Sequence, residues 1–320
     1  MRVQVEPSSE ALVHSSGGPC RRWLGRWNEG GPAPGGTGKA AMSTPTPPRT
    51  YPHGVPCWVD TEQPDVDAAT AFYGALFGWT FTDKMPPDAP GRYVVASLDG
   101  QDVAAIASPP DGGDATPEWI TYVAVDDVGV AAGAVAADGG VLLSGPETVG
   151  PPGRMAAVQD PQGARFRLWQ AGTRLGAQRV NEPGTWNFSN LLTPDPDRAL
   201  DFYGPLLGWE LDPELGAGMF RVPGYGDHLA RTVDPGIHER QEFAPPGFAD
   251  VAAGVARVSG PARWDVAFSV ADRDESAAAA ERAGGVVLST SENEWVREAV
   301  VRDPQGAELT LSQFAPQEWG

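Results

Sequence analysis

Residues 72–79 read FYGALFGW, and residues 202–209 read FYGPLLGW. The flanks repeat as well: DVDAATAFYG leads into one copy and DPDRALDFYG into the other. Tyr73 and Tyr203 lie 130 residues apart, and further pairs follow in the same order. WITYVAVDD (119–127) matches WDVAFSVAD (264–272), DGGVLLSGPE (138–147) matches AGGVVLSTSE (283–292), and DPQGA recurs at 160–164 and 303–307. An ordered series of matches at a long, nearly constant offset is the mark of a duplicated domain. An insertion in the second copy, over 232–258, absorbs the drift in offset.

Each copy has its own rhythm. VPCWVDTEQ alternates as a strand does. DVDAATAFYGALFG then sets Ala68, Ala71, Phe72, Ala75 and Leu76 at helical spacing, with Asp65 or Asp67 suited to the N-cap and Gly78 to the stop. RYVVASLDGQDVAAIAS reads as a hairpin turning at Asp99-Gly100. A second round follows: the strand WITYVAVDD, the glycine-ended helix VGVAAGAVAADGG, and a hairpin through Asp160-Pro-Gln-Gly163. DPQG itself is read as a turn, because proline fixes φ and glycine accepts a positive one. The paired aromatics Phe72-Tyr73 and Phe202-Tyr203 are expected in the core, and Trp79 and Trp209 at a rim or in the core. The fold class is α+β, with strand–helix–strands twice per domain. The boundaries are a first domain at 53–170, a linker at 171–185 and a second domain at 186–315. Residues 1–50, rich in Gly, Pro, Ser and Arg and without apolar periodicity, are expected to be a disordered or mis-assigned extension ahead of the folded body. Arg21-Arg22 is not followed by the apolar run of an export signal.

The formal net charge is −19, and the first fifty residues are net basic, so the acidity belongs to the folded body. Such a body repels phosphate backbones, which argues against nucleic-acid binding. No apolar run reaches the roughly 20 residues of a membrane-spanning helix. Cys20 and Cys57 are too few and too distant for a zinc motif, and a reduced cytoplasmic setting is expected.

The strand–helix ending in AFYGALFGW, then YVAVDDV, then GRMAAVQDPQGARFRLWQ resembles the vicinal oxygen chelate superfamily of glyoxalases, bleomycin-resistance proteins and extradiol dioxygenases. The likeness covers about residues 53–315 and is nearest to tandem glyoxalase-like proteins. It implies paired βαβββ modules, each pair forming a cupped mixed sheet around a cavity. It also implies a divalent metal held by a first-strand His, a His or Gln on the strand opening the second module, and a last-strand Glu. Here those positions carry Trp58, Ile120 and Arg167 in the first domain and Phe188, Asp265 and Thr310 in the second. A guanidinium only donates hydrogen bonds, so no metal or other cofactor is expected. A register shift of one offers Cys57 alone as a further ligand. His14, His53, His228 and His238 are expected on loops or the surface, with His228, on a hairpin strand, best placed to face the second cup.

Because residues two apart share a strand face, the first cup is expected to be lined by Trp58, Asp60, Tyr122, Arg167 and Trp169. That is either an aromatic box for a flat organic ligand or the seat of a structural Asp60–Arg167 ion pair. The second is expected to hold Phe188, Asn190, Asp265, Ser269, Thr310 and Ser312, with Glu308 near one end. Asp265 is a candidate general base there, or else a surface acid on an edge strand. The functional expectations are a glyoxalase-like lyase, or related isomerase or oxygenase, acting on a small organic molecule; a metal-free binding protein of the bleomycin-resistance type; or a scaffold with vestigial cups. The chain is expected as a monomer whose domains mimic a dimer, or as a homodimer.

Overall fold

A computed structural model describes residues 48–109, 117–211, 218–242 and 244–316. Most of the N-terminal extension lies outside them. The first half runs β1 (Pro56–Glu62), α1 (Val66–Phe77), β2 (Thr80–Asp83), β3 (Tyr93–Leu98), β4 (Gln101–Ala107), β5 (Trp119–Ala124), α2 (Val128–Val135), β6 (Val141–Thr148), β7 (Gly153–Gln159) and β8 (Arg165–Ala171). These strands form one sheet in the order β2-β3-β4-β1-β5-β8-β7-β6. At its centre β1 runs parallel to β4 and antiparallel to β5, and β5 runs parallel to β8.

The second half repeats the plan with β9 (Trp186–Thr193), α3 (Pro196–Leu207), β10 (Glu210–Leu211), β11 (Met219–Arg221), α4 (Tyr225–Thr232), α5 (Ile237–Arg240), β12 (Val251–Arg257), β13 (Arg263–Ser269), α6 (Arg273–Arg282), β14 (Val286–Glu292), β15 (Val296–Arg302) and β16 (Glu308–Phe314). Its sheet order is β10-β11-β12-β9-β13-β16-β15-β14, the same topology as the first. The fold is therefore α+β with two tandem domains of paired modules. The expected insertion over 232–258 is corrected at its C-terminal end. Residues 251–257 are β12, the counterpart of β4, and the added segment falls between β11 and β12. His228, expected on a strand, lies in α4 and bonds to Thr50.

The local signals act as their chemistry requires. Asp65 caps α1 by accepting from the Ala68 amide, and Gly78 closes it in the left-handed region at φ 73°. Asp195 and Gly208 do the same for α3.

The repeated phrases have a second role that spans the halves. The Asp that opens each DPQG turn uses Oδ1 to accept amides of its own turn and Oδ2 to accept a tyrosine from the opposite half. Tyr203 donates to Asp160 at 3.0 Å, and Tyr73 donates to Asp303 at 2.8 Å. The glutamine of the same turn meets the N-cap of that opposite helix. Gln305 bonds both the amide and the carbonyl of Asp65 at 2.8 Å, and Gln162 donates to the Asp195 carbonyl at 2.8 Å. The tryptophans that close the phrases cross over too: Trp79 donates to the Gly184 carbonyl and Trp209 to that of Gly54. Gly54 has φ 82°, and a Cβ there would sit 2.1 Å from the Leu207 carbonyl oxygen, so only glycine allows this approach.

The two cores are correspondingly shared. One joins α1 and the β1–β4 module to Phe268, Leu309 and Leu311, and the other joins Phe166 and Leu168 to Phe202, Tyr203 and Trp264. Thr121 and Ser189 bond across the back of the two sheets at 2.8 Å.

Candidate functional site

Strand register puts the two cups in one-to-one correspondence. Across β1 and β5, Trp58 faces Tyr122 and Asp60 faces Ile120; across β9 and β13, Phe188 faces Ala267 and Asn190 faces Asp265. On the next strand Tyr122 pairs with Arg167 and Ala267 with Thr310. On the other side Asp60 pairs with Ala105 and Asn190 with Gly254. Read pairwise, Trp58, Tyr122, Arg167, Trp169 and Ala105 of the first cup become Phe188, Ala267, Thr310, Ser312 and Gly254 in the second. Every one of these exchanges removes volume.

In the first cup the five expected residues do come together: Asp60, Tyr122 and Arg167 bond to one another, Trp58 joins them through Tyr93, and Trp169 packs on Tyr122. Asp60 is fully buried. Its two oxygens accept Arg167 Nη1 at 3.0 Å each, and Tyr122 and Tyr93 donate to Oδ2. Arg167 reaches Tyr122 through Nη1 at 2.6 Å and Glu62 through Nη2. Trp58 donates to the Tyr93 hydroxyl at 2.9 Å, and Trp169 packs edge-on against Tyr122. Burial raises the Asp60 carboxyl, while the Arg167 guanidinium and the Tyr122 phenol oppose the rise. A cavity of about 30 Å³ remains at the mouth, lined in part by Glu62, Glu118, Arg165 and Arg167. That is room for a water rather than for an organic molecule. The geometry corresponds to the ion-pair reading of Asp60 and Arg167.

In the second cup Phe188, Asn190 and Asp265 keep part of their surface exposed, while Thr310 and Ser312 are buried. Thr310 donates to Asp265 Oδ1 at 2.8 Å, and the Asn190 amide lies 3.4 Å from Oδ2. A Cβ on Gly254 would fall 2.1 Å from Asn190 Oδ1, so the glycine makes the space in which that amide lies. Burial pushes the Asp265 carboxyl above its ordinary value; Thr310, Asn190 and Arg263 oppose this and Glu308 adds to it. The expectation of a surface acid on an edge strand is corrected: β13 is interior, flanked by β9 and β16. Glu308, at the start of β16, is held by Arg302. Ser269 ends β13 opposite Ser312.

The sequence reading overlooked Glu298. It lies on β15 opposite Ser312, which donates to it at 3.3 Å. Its carboxyl is raised by burial, with Asp265 contributing. Applying strand alternation to both arms of the DPQG hairpin, rather than to the last strand alone, would have found it. Tyr93 and Glu62, also overlooked, complete the network of the first cup.

The positions that the family gives to metal ligands do not form a three-ligand divalent site. In the first cup a guanidinium stands among them and both Asp60 oxygens already accept its Nη1. In the second, Asp265 is joined by phenyl and hydroxyl groups. Among the described residues no group of three or more His, Cys, Asp and Glu side chains is placed to hold a metal. Cys57 is buried in the core, where burial pushes its thiol up.

A family model described as the Glyoxalase/Bleomycin resistance protein/Dioxygenase superfamily matches residues 63–168, and one described as a Glyoxalase-like domain matches residues 187–312. The chain belongs to this superfamily, the vicinal oxygen chelate proteins, as a tandem glyoxalase-like member. It is 38% identical over 275 residues to the putative glyoxylase CFP32 of Mycobacterium bovis and of Mycobacterium tuberculosis, covering 84% of this chain and 98% of the relative. It is 33% identical to the anthracycline biosynthesis protein DnrV of Streptomyces peucetius, over 82% of this chain and 94% of the relative. Among solved structures, the Mn(II)-bound glyoxalase of Novosphingobium aromaticivorans shares the fold at TM-score 0.53 and 16% identity, covering 82% of each chain. The 2,3-dioxygenase LapB of Pseudomonas sp. KL28 does so at TM-score 0.53 and 11% identity, covering 85% of this chain and 98% of that one. No described helix is long and apolar enough to cross a membrane.

Proposed function

We propose that the second cup binds a small organic molecule without a metal, and that Asp265 is the group that exchanges a hydrogen bond or proton with it. The first cup acts as a structural pillar. The observation that carries this reading is the paired substitution of Tyr122 by Ala267 and of Arg167 by Thr310, which removes the two side chains that fill the first cup. It leaves Asp265 bonded by neutral partners, Thr310 and Asn190. A carboxyl raised by burial is a stronger base than an ordinary one, which suits it to exchange a proton with a ligand. Phe188 supplies an aromatic face, and Asn190, Thr310 and Ser312 supply polar contacts for orientation.

The names of the relatives motivate two probes: the hemithioacetal of a glyoxalase reaction and an anthracycline. Turnover of the first would make the chain a lyase; saturable binding of the second without turnover would make it a binding protein. The test is calorimetry and activity on chain dialysed against EDTA. At least one probe is expected to bind with one site per chain, and D265N to weaken it about tenfold, the scale of one hydrogen bond to a charged or acidic group. Failure of both probes, or binding that appears only when Mn²⁺ is restored, sinks the reading.

A further inference from the structure

A second cavity, sharing no lining residue with either cup, lies along the segment that joins the halves. It measures about 770 Å³ and is lined by Arg49, Arg174 and Arg179 together with Asp102, Glu182 and Gln178, among others. We propose that this cavity binds an organic anion bearing carboxylate or phosphate groups. The volume is within the roughly 300–1,000 Å³ of small-molecule sites. Three guanidiniums in one cavity are a local exception in a chain of formal charge −19. Guanidinium is the side chain best matched to oxyanions, through paired N–H donors.

The three differ in how they are held. Arg174 is fixed by Asp102 at 3.0 Å and by stacking 5.0 Å from the Trp58 ring. Arg179 pairs with Asp99 and Glu182 at 2.6 Å each, and those acids are 78% and 50% exposed. Solvent-exposed pairs are weak, so an incoming oxyanion can take their place. Arg49 lies near the Tyr51 and Tyr225 phenols, where its charge opposes the rise that burial causes, and no ion pair joins it to a carboxylate among the described residues. The wall is pinned by main-chain hydrogen bonds. Ala177 donates to the Cys57 carbonyl and Gln178 to that of Asp102, both at 2.8 Å. A Cβ on Gly176 would lie 2.5 Å from the Cys57 oxygen, so the joining segment is drawn tight against β1. A site built on such a wall loses little freedom on binding.

Calorimetry on the full chain with citrate and with inorganic tripolyphosphate tests this. One saturable site is expected for at least one probe; the tighter of the two tells whether carboxylate or phosphate is preferred. R49Q and R179Q should each weaken binding about tenfold, the loss of a charge-assisted contact. E182Q should tighten it by freeing Arg179, a gain that a purely structural role for Arg179 would not give. D265N should leave it unchanged, which separates this site from the second cup. Lack of saturation by both probes, or affinity indifferent to R49Q and R179Q with folding intact by circular dichroism, overturns the proposal.

Discussion

The two cups share strand order, register and interlock, yet one is lined by large side chains and the other by small ones. In the first, Arg167 supplies a cation from within and Tyr122 and Trp169 occupy the space; in the second, Thr310, Ala267 and Ser312 stand at the same places. A duplicated fold keeps the contacts that join its halves and is free to change the faces that do not. The tyrosine–aspartate and glutamine–N-cap contacts recur in both copies, whereas the concave faces differ at nearly every position. On the function proposed above, one cup carries stability while the other takes a ligand.

The largest expected effect comes from emptying the filled cup. R167M leaves Asp60 buried beside Glu62 with no cation, and breaking a buried pair on one side costs about 3–5 kcal/mol. Chemical denaturation should show that loss. T310V, its counterpart, should cost only about 1 kcal/mol, the net worth of one hydrogen bond. Equal losses would erase the contrast between the cups.

The interlock should be less lopsided. Y203F removes the partner of Asp160 Oδ2 and should cost about 1–3 kcal/mol by leaving a buried acceptor unmet. Y73F should cost at least as much: Gln63 still donates to Asp303 at 2.8 Å, but the buried Trp119 indole N–H loses the Tyr73 hydroxyl that accepts it at 3.1 Å. A negligible loss for either variant would contradict the reciprocal arrangement.

A smaller effect concerns pH. Burial raises the Asp265 and Glu298 carboxyls. Between the ordinary carboxylate value near pH ~4 and the raised one, the folded chain holds protons that the unfolded chain has released. Stability therefore falls as pH rises through that window, and the loss is complete above it. D265N removes part of the penalty. Its stability relative to the parent should rise from about pH 4 upward and then level. A flat difference would mean that Asp265 titrates normally.

The smallest effect sharpens the comparison at one atom. G254A should displace Asn190 and weaken ligand binding in the second cup, with a change in stability within about 1 kcal/mol because a strand glycine is itself mildly unfavourable. A105G, at the matching place in the first cup, should leave ligand binding untouched.

Much of this was legible in the sequence. Offsets between FYG, DPQG and the flanking strands disclosed the duplication, and period-2 alternation from Trp58, Asp265 and Arg167 named most of the cup residues. What escaped lay in tertiary partnership. DPQG reads correctly as a turn from its proline and glycine, but nothing local tells that its aspartate and glutamine reach a helix of the other half. Glu298 escaped because alternation was followed along one arm of the hairpin only. β12 was hidden by the long segment that parts it from β11, and His228 by the helix which that segment forms. Whether the Asp60–Arg167 pair sits in an open box or a closed one depends on Tyr93, which comes from β3, outside the strands first considered, and on Glu62, one alternation beyond Asp60 on β1.

The most direct test of the central claim is elemental analysis of the purified chain after equilibration with Mn²⁺, Fe²⁺, Ni²⁺ and Zn²⁺ and removal of free ion. The account expects well under one ion per chain and no change on D265A. Close to one tightly held ion per chain, lost on D265A, would contradict it and return the second cup to metal chemistry.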